Sequence, residues 1–171
     1  MRIYEGSPRQ DFEEVFRSIG GHLDALGMRE ILLLETDDAF VLQGLVFEGS
    51  VGAWSDAVGQ VRKQTVILHD DDLGAFMDES LARRGTGGGD TPGTYAAAMR
   101  VIGRYLDETH PRDTFLFEQD GSYVLRLLHV DQAGSHHQLV EFTRDDIAQM
   151  VSQGPTLRAP APTTKPGTAP S

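Results

Sequence analysis

The chain contains no cysteine. That excludes disulfides, thiolate catalysis and cysteine-ligated zinc. No stretch approaches the roughly 20 apolar residues of a membrane-spanning helix, and the opening, MRIYEGSPRQ, lacks the apolar region of a secretory signal. Cytoplasmic residence is therefore the expectation. Positive charge is scarce: 15 Lys and Arg stand against 26 Asp and Glu, a formal net charge of −11. Residues 1–89 carry 8 basic and 16 acidic groups and residues 90–153 carry 5 and 10, so the deficit is shared. Phosphate contact needs a cationic face, so nucleic acid and anionic membrane are disfavoured as partners, and a basic polypeptide suits the charge. Catalytic signatures are missing as well. There is no Gly-x-Ser-x-Gly, and the Gly-rich run Gly85–Gly93 lacks the Gly-Lys-Ser/Thr ending of a phosphate loop. No cofactor is implied.

What the chain does have is an internal repeat. Phe12–Glu48 aligns without a gap against Tyr95–Asp131 at a constant offset of 83, with 12 of 37 positions identical, from Arg17/Arg100 to Leu45/Leu128. Self-similarity at a fixed offset points to a tandem duplication. Ser7-Pro8 and Thr91-Pro92 offer the same helix opening, a capping hydroxyl followed by proline. Behind them Phe12, Val15, Phe16, Ile19, Leu23 and Leu26, and then Tyr95, Met99, Ile102 and Leu106, recur at helical spacing. Gly27 and Pro111 are the expected stops.

Short apolar strands follow at 30–35 and 113–118, each ending in a turn, with Asp120-Gly121 the stronger hairpin signal. Further strands are expected at 40–47 and 123–130, a third pair at 61–69 and 136–143, and final helices at 70–84 and 144–153. Each copy thus reads α-β-β-β-α. The first spans 1–84 with an insert at 49–60, a Gly-rich linker occupies 85–93, and the second spans 94–153. The tail, 154–171, is rich in Pro, Thr and Ala and is expected to be disordered.

The expected class is α+β, with antiparallel sheets and helices on one face. In the second strands both faces are apolar: Tyr123, Leu125 and Leu127 on one, Val124, Leu128 and Val130 on the other around Arg126. Two helices can cover only one face. The other is expected to meet the sister copy in an intramolecular pseudo-dimer, or else a second chain in a homodimer.

Candidate site residues are few. His69, Asp70 and Asp72 could hold a divalent metal, but acidic residues at a strand-to-helix junction are also ordinary helix-start chemistry. His136 and His137 are neighbours on a strand, so they face opposite sides and do not readily share an ion. Glu35/Glu118 and Asp37/Asp120 read as surface turn residues, and Arg17/Arg100, Asp24/Asp107 and Arg29/Arg112 as surface or helix-end ion pairs. The insert holds Trp54, the single tryptophan. Aromatics concentrate at binding hot spots, which makes Trp54, with Val51 and Phe47, the candidate partner-binding group.

The α-β-β-β-α order resembles that of double-stranded-RNA-binding domains, whose function the charge opposes. In element order alone it is also similar to secretion-chaperone folds. The leading expectation is a non-catalytic, acidic adaptor or chaperone-like module that binds a polypeptide. The alternative is a small-ligand-binding protein or metal-dependent enzyme with its pocket between the repeats.

Overall fold

The computed structural model describes residues 12–47, 61–84 and 90–153. Its elements run α1 (Phe12–Leu26), β1 (Met28–Glu35), β2 (Ala39–Phe47), β3 (Val61–His69), α2 (Asp70–Arg84), α3 (Tyr95–Thr109), β4 (Asp113–Gln119), β5 (Ser122–Asp131), β6 (Gly134–Phe142) and α4 (Arg144–Ser152). All six strands form one antiparallel sheet in the order β3-β2-β1-β4-β5-β6. The class is α+β.

Each helix forms where the sequence offers an apolar stripe. In α1, Phe12, Val15, Phe16, Ile19 and Leu23 are all buried, while Glu13 and Glu14 sit in the first turn, where the helix dipole favours negative charge. Gly27 stops it with φ 65°, and His110 stops α3 with φ 48° ahead of Pro111. The start of α3 differs from expectation. Thr91-Pro92-Gly93 forms a turn, and the cap is Thr94, whose hydroxyl accepts from Ala97 N at 3.2 Å. Ser7-Pro8 lies outside the described residues. At the head of α4 the spacing of Thr143 and Asp146 does give a capping box, with Asp146 N donating to Thr143 Oγ1 (3.1 Å) and Thr143 N to Asp146 Oδ2 (2.8 Å).

The Asp120-Gly121 hairpin closes in two residues between the paired Gln119 and Ser122. Both central residues take positive φ, 52° and 79°, as a primed turn requires. Strand β1 carries a bulge between Arg29 and Leu32, with Glu30 at φ 50°.

The two halves meet along β1 and β4. Leu33 pairs with Leu116, Leu32 with Phe117 and Leu34 with Phe115. Every one of these pairs exchanges with itself or its neighbour under the 83-residue offset, so an approximate twofold axis passes through Leu33 and Leu116. The same reciprocity holds in the helix layer, where α1 packs on α3. The Asp107 carboxylate accepts from Phe12 N (2.8 Å) and Glu13 N (3.0 Å), and that of Asp24 from Tyr95 N and Ala96 N (2.9 Å each). Each helix therefore caps the other's first turn with a side chain from its own last turn. This replaces the surface-pair expectation for Asp24 and Asp107.

One core serves both halves. Phe16, Ile19, Leu33, Phe40 and Leu42 belong to the same buried cluster as Met99, Ile102, Leu116, Leu125 and Phe142. It lies between the helices and one face of the sheet. The expectation that the sister half would cover the second sheet face is corrected here. The halves join edge to edge, because hydrogen-bonding β1 to β4 satisfies two strand edges at once, and that geometry leaves the second face open.

Candidate functional site

The open face is the feature that the fold leaves without a structural task. Strand alternation sends Leu33, Leu42, Leu116 and Leu125 into the core, each fully buried, and turns their neighbours outward. The register arranges those neighbours in two adjacent rows across all six strands. One row reads Ile67, Val41, Leu34, Phe115, Arg126, Leu139. The other reads Thr65, Gln43, Leu32, Phe117, Val124, Glu141. Eight of these twelve side chains are apolar, and six of the eight form an unbroken block over β2, β1, β4 and β5.

These are large apolar groups in water. Ile67 is 53% exposed, Leu139 46%, Leu34 39% and Phe117 38%. The polar groups lie toward the flanks, where Gln43 Nε2 donates to Thr65 Oγ1 at 3.1 Å and Arg126 Nη2 lies 3.4 Å from His137 Nε2. The outer strands carry Lys63 and Glu141, which blunt pairing at the sheet edges. Whether scattered or contiguous decides the meaning of exposed apolar residues, and these are contiguous.

Of the residues singled out from the sequence, Trp54 and Val51 lie outside the described residues. Phe47 ends β2 opposite Val61. His69 closes β3, and Asp70, Asp71 and Asp72 make the first turn of α2; all four are exposed. Asp70 N donates to Asp38 O at 3.0 Å, which ties that turn to the β1–β2 hairpin. Among the described residues no three His, Asp or Glu side chains are placed to hold a metal. His136 and His137 do face opposite sides. His137 lies opposite Leu128 on the open face, while His136 stacks on His129 with ring centroids 5.2 Å apart. A shallow pocket of about 350 Å³ beside that stack is lined by His110, Asp131 and Gln138 as well.

Glu35 and Glu118 depart from the surface reading: both are buried on the helix side of the sheet. They do not pair, since the register sets them about four residues, or ~13 Å, apart across the twofold axis. Their settings differ in an instructive way. Glu118 accepts from Tyr95 Oη (3.0 Å), Gly121 N (2.9 Å) and Ile31 N (3.4 Å). Beside Glu118, burial and then its negative charge push the Tyr95 and Tyr123 hydroxyls well above the usual phenol range. At the offset of 83 the two tyrosines become Phe12 and Phe40, which have no hydroxyl to offer. Burial raises the Glu35 carboxyl to about 7, with the charge of Asp113 adding to the effect.

A raised carboxyl pKa stabilises the fold fully below the unfolded value, near 4.5, and that contribution is lost as pH rises through about 7. Between pH 5 and pH 8 the wild type should therefore lose ~3 kcal/mol relative to Glu35→Gln. Urea denaturation of both proteins at the two pH values checks this. Parallel profiles would show that Glu35 ionises freely in the fold.

No helix among the described residues is long and apolar enough to cross a membrane. Architecturally the chain is α+β, and among the described residues one six-stranded sheet is covered by helices on one face and open on the other. Compared with known proteins, it matches no family model, no curated protein and no solved structure.

Proposed function

We propose that this chain is a non-catalytic protein-interaction module, adaptor or chaperone-like, that binds a polypeptide across the open sheet face. The observation that carries the reading is the contiguous apolar block Val41, Leu34, Leu32, Phe115, Phe117 and Val124. The sheet leaves Leu34 and Phe117 exposed and the other four half-buried, and burying such a surface is the main source of association energy. The net charge of −11 favours encounter with a basic partner. Trp54, with Val51 and Phe47, belongs to the chain segment between the ends of β2 and β3, so its candidacy as an added contact is part of the same proposal.

We also infer that the halves are tandem copies of one α-β-β-β-α unit. The reciprocal Asp24/Asp107 caps and the Leu33–Leu116 crossing support this, since both relate residues at the offset found in the sequence. Cytoplasmic residence belongs to this reading as well. The competing function, a metal or small-ligand site using His69, Asp70 and Asp72, has only exposed side chains at a helix start to draw on.

An alternating leucine–lysine peptide is a suitable probe, because it presents an apolar face and positive charge together. Titration calorimetry should show binding to the wild type with a negative heat-capacity change. Leu34→Ser/Phe117→Ser removes apolar area without altering charge, and should weaken that binding about 30-fold or more. Equal affinity in wild type and variant would mean that the peptide reads only the acidic surface, and the proposal would fall.

A further inference from the structure

The open face has a second property: its apolar centre keeps its character under a half turn. The axis through Leu33 and Leu116 exchanges Leu34 with Phe117, Leu32 with Phe115 and Val41 with Val124, so both rows remain apolar at the centre. Arg126 exchanges with Gln43 and Ile67 with Glu141, so the charged groups stay toward the flanks. A twofold dimer interface must be self-complementary, each patch meeting its own copy. On this face an in-plane axis along the strands sets Leu34 of one chain over Phe115 of the other and Leu32 over Phe117.

The area fits as well. Six strands at ~4.8 Å spacing and three to four outward positions along each give a face of roughly 29 by 20 Å. A rough surface of that footprint presents an accessible area comparable with the ~800 Å² per partner of a standard stable interface. Aligned sheets pack face to face about 10 Å apart with side chains interdigitating, which suits Leu, Val and Phe rows. Two chains of net charge −11 repel, but the repulsion is not centred on this face. Its charged members are Lys63, Arg126, Glu141 and, at the start of β4, Asp113, with His137 beside Arg126, so acid and base are balanced there, whereas α2 opens with Asp70, Asp71 and Asp72 on the opposite layer. Charges further away than a Debye length, about 8 Å at physiological salt, are largely screened.

We propose that, in the absence of its polypeptide partner, the open face is covered by the open face of a second copy of this chain, so that the partner binds by displacing it. The inference rests on the interaction reading of the face and adds its resting occupant and its control. Salt moves the two complexes in opposite directions. It screens repulsion between acidic copies and tightens the dimer, and it screens attraction and loosens a basic partner.

Sedimentation velocity on the full chain from about 1 to 200 μM, at low and high salt, makes the test, with concentrations chosen to span micromolar affinity. The expected result is reversible passage from one chain of 18.7 kDa to twice that mass, favoured by salt. Leu34→Ser/Phe117→Ser should shift the midpoint upward about 30-fold or more. Leu81→Ser, which removes an exposed leucine from α2 on the helix side, should leave it in place. A wild type of single-chain mass under every condition overturns the proposal, as does a dimer that survives in the double variant. Either result leaves the peptide titration as an independent test of the interaction reading. A short bismaleimide locates the contact, since this chain has no cysteine of its own. Leu34→Cys should crosslink to its mate across stacked sheets and Ala82→Cys on α2 should not, and the reverse pattern would assign the dimer to the helix layer.

Discussion

Gly20→Ala is expected to destabilise the fold by about 3 kcal/mol, while Gly21→Ala, one residue on, stabilises it by roughly 0.5–1 kcal/mol. The sign depends on what a new Cβ would meet. At Gly20 it would lie 2.4 Å from Tyr95 O and 2.6 Å from Tyr95 C, and at the equivalent Gly103 2.4 Å from Phe12 O. These are backbone atoms at the starts of α3 and α1, held there by the Asp24 and Asp107 carboxylates, so they cannot swing aside as a side-chain tip would. The helices must separate, and the caps and the shared core loosen together. At Gly21 the nearest atom is Ser80 Oγ at 4.0 Å, so alanine fits and the usual helix preference for alanine over glycine is realised. Gly20→Val/Gly103→Val should exceed the roughly 5–15 kcal/mol that a domain of this kind has in reserve, or come close to it. Urea denaturation of the two alanine variants gives the signs. A Gly20→Ala protein as stable as wild type would show that the α1–α3 contact yields without cost.

Much of this architecture is legible in the sequence because its determinants are local. The 83-residue offset gives the element order, Asp120-Gly121 gives its hairpin, and Thr143 with Asp146 gives its cap. The expected limits of the six strands and of α2 and α4 agree with the observed ones within two residues, because apolar period and breakers set both, whereas α3 starts at Tyr95, three residues after the expected Pro92. What stays hidden is what each element does across the twofold axis. Asp24 and Asp107 are polar residues in the last turn of a helix, and nothing within either helix says that they cap the neighbour. Gly20 and Gly103 are identical in the repeat, and that identity is the available sign of a close crossing. Glu35 and Glu118 follow an apolar strand and precede a turn, which reads as surface; only the register of β1 on β4 turns them toward the helices. The open face is visible in the sequence as a second apolar side on each strand. Its lack of cover is not, because edge-to-edge and face-to-face joining of two sheets satisfy the same pattern of residues.

Asp90→Asn is the second large effect, expected at about 3 kcal/mol, near the low end for removing one member of a buried charge cluster. Asp90 follows the Gly-rich stretch that reads as a plain linker, and it does more than connect. Its Oδ1 accepts from Arg17 Nε at 2.8 Å and its Oδ2 from Arg100 Nε at 2.7 Å, so one carboxylate bridges two arginines that are equivalent under the 83-residue offset. All three side chains are largely buried, with Asp90 only 5% exposed. Asparagine keeps the shape and removes the charge, leaving two guanidiniums that are costly to bury without an anion. Glu14 on Arg17 and Glu13 on Arg100, each at 3.5 Å, soften the loss, which keeps the cost at the low end. The exposed Arg83–Glu79 pair at 3.7 Å is the contrast, and Glu79→Gln should change stability by less than ~0.5 kcal/mol. A thermodynamic cycle separates the charge from the packing. In an Arg17→Gln/Arg100→Gln background, Asp90→Asn should cost little, because no buried cation remains to be orphaned. An undiminished cost there would mean that Asp90 acts through the chain path between the halves instead of through the arginines. Because the bridge needs both guanidiniums on one carboxylate, it can close only when α1 and α3 cross at the distance that Gly20 and Gly103 allow. Asp90→Asn and Gly20→Ala should therefore be less than additive when combined.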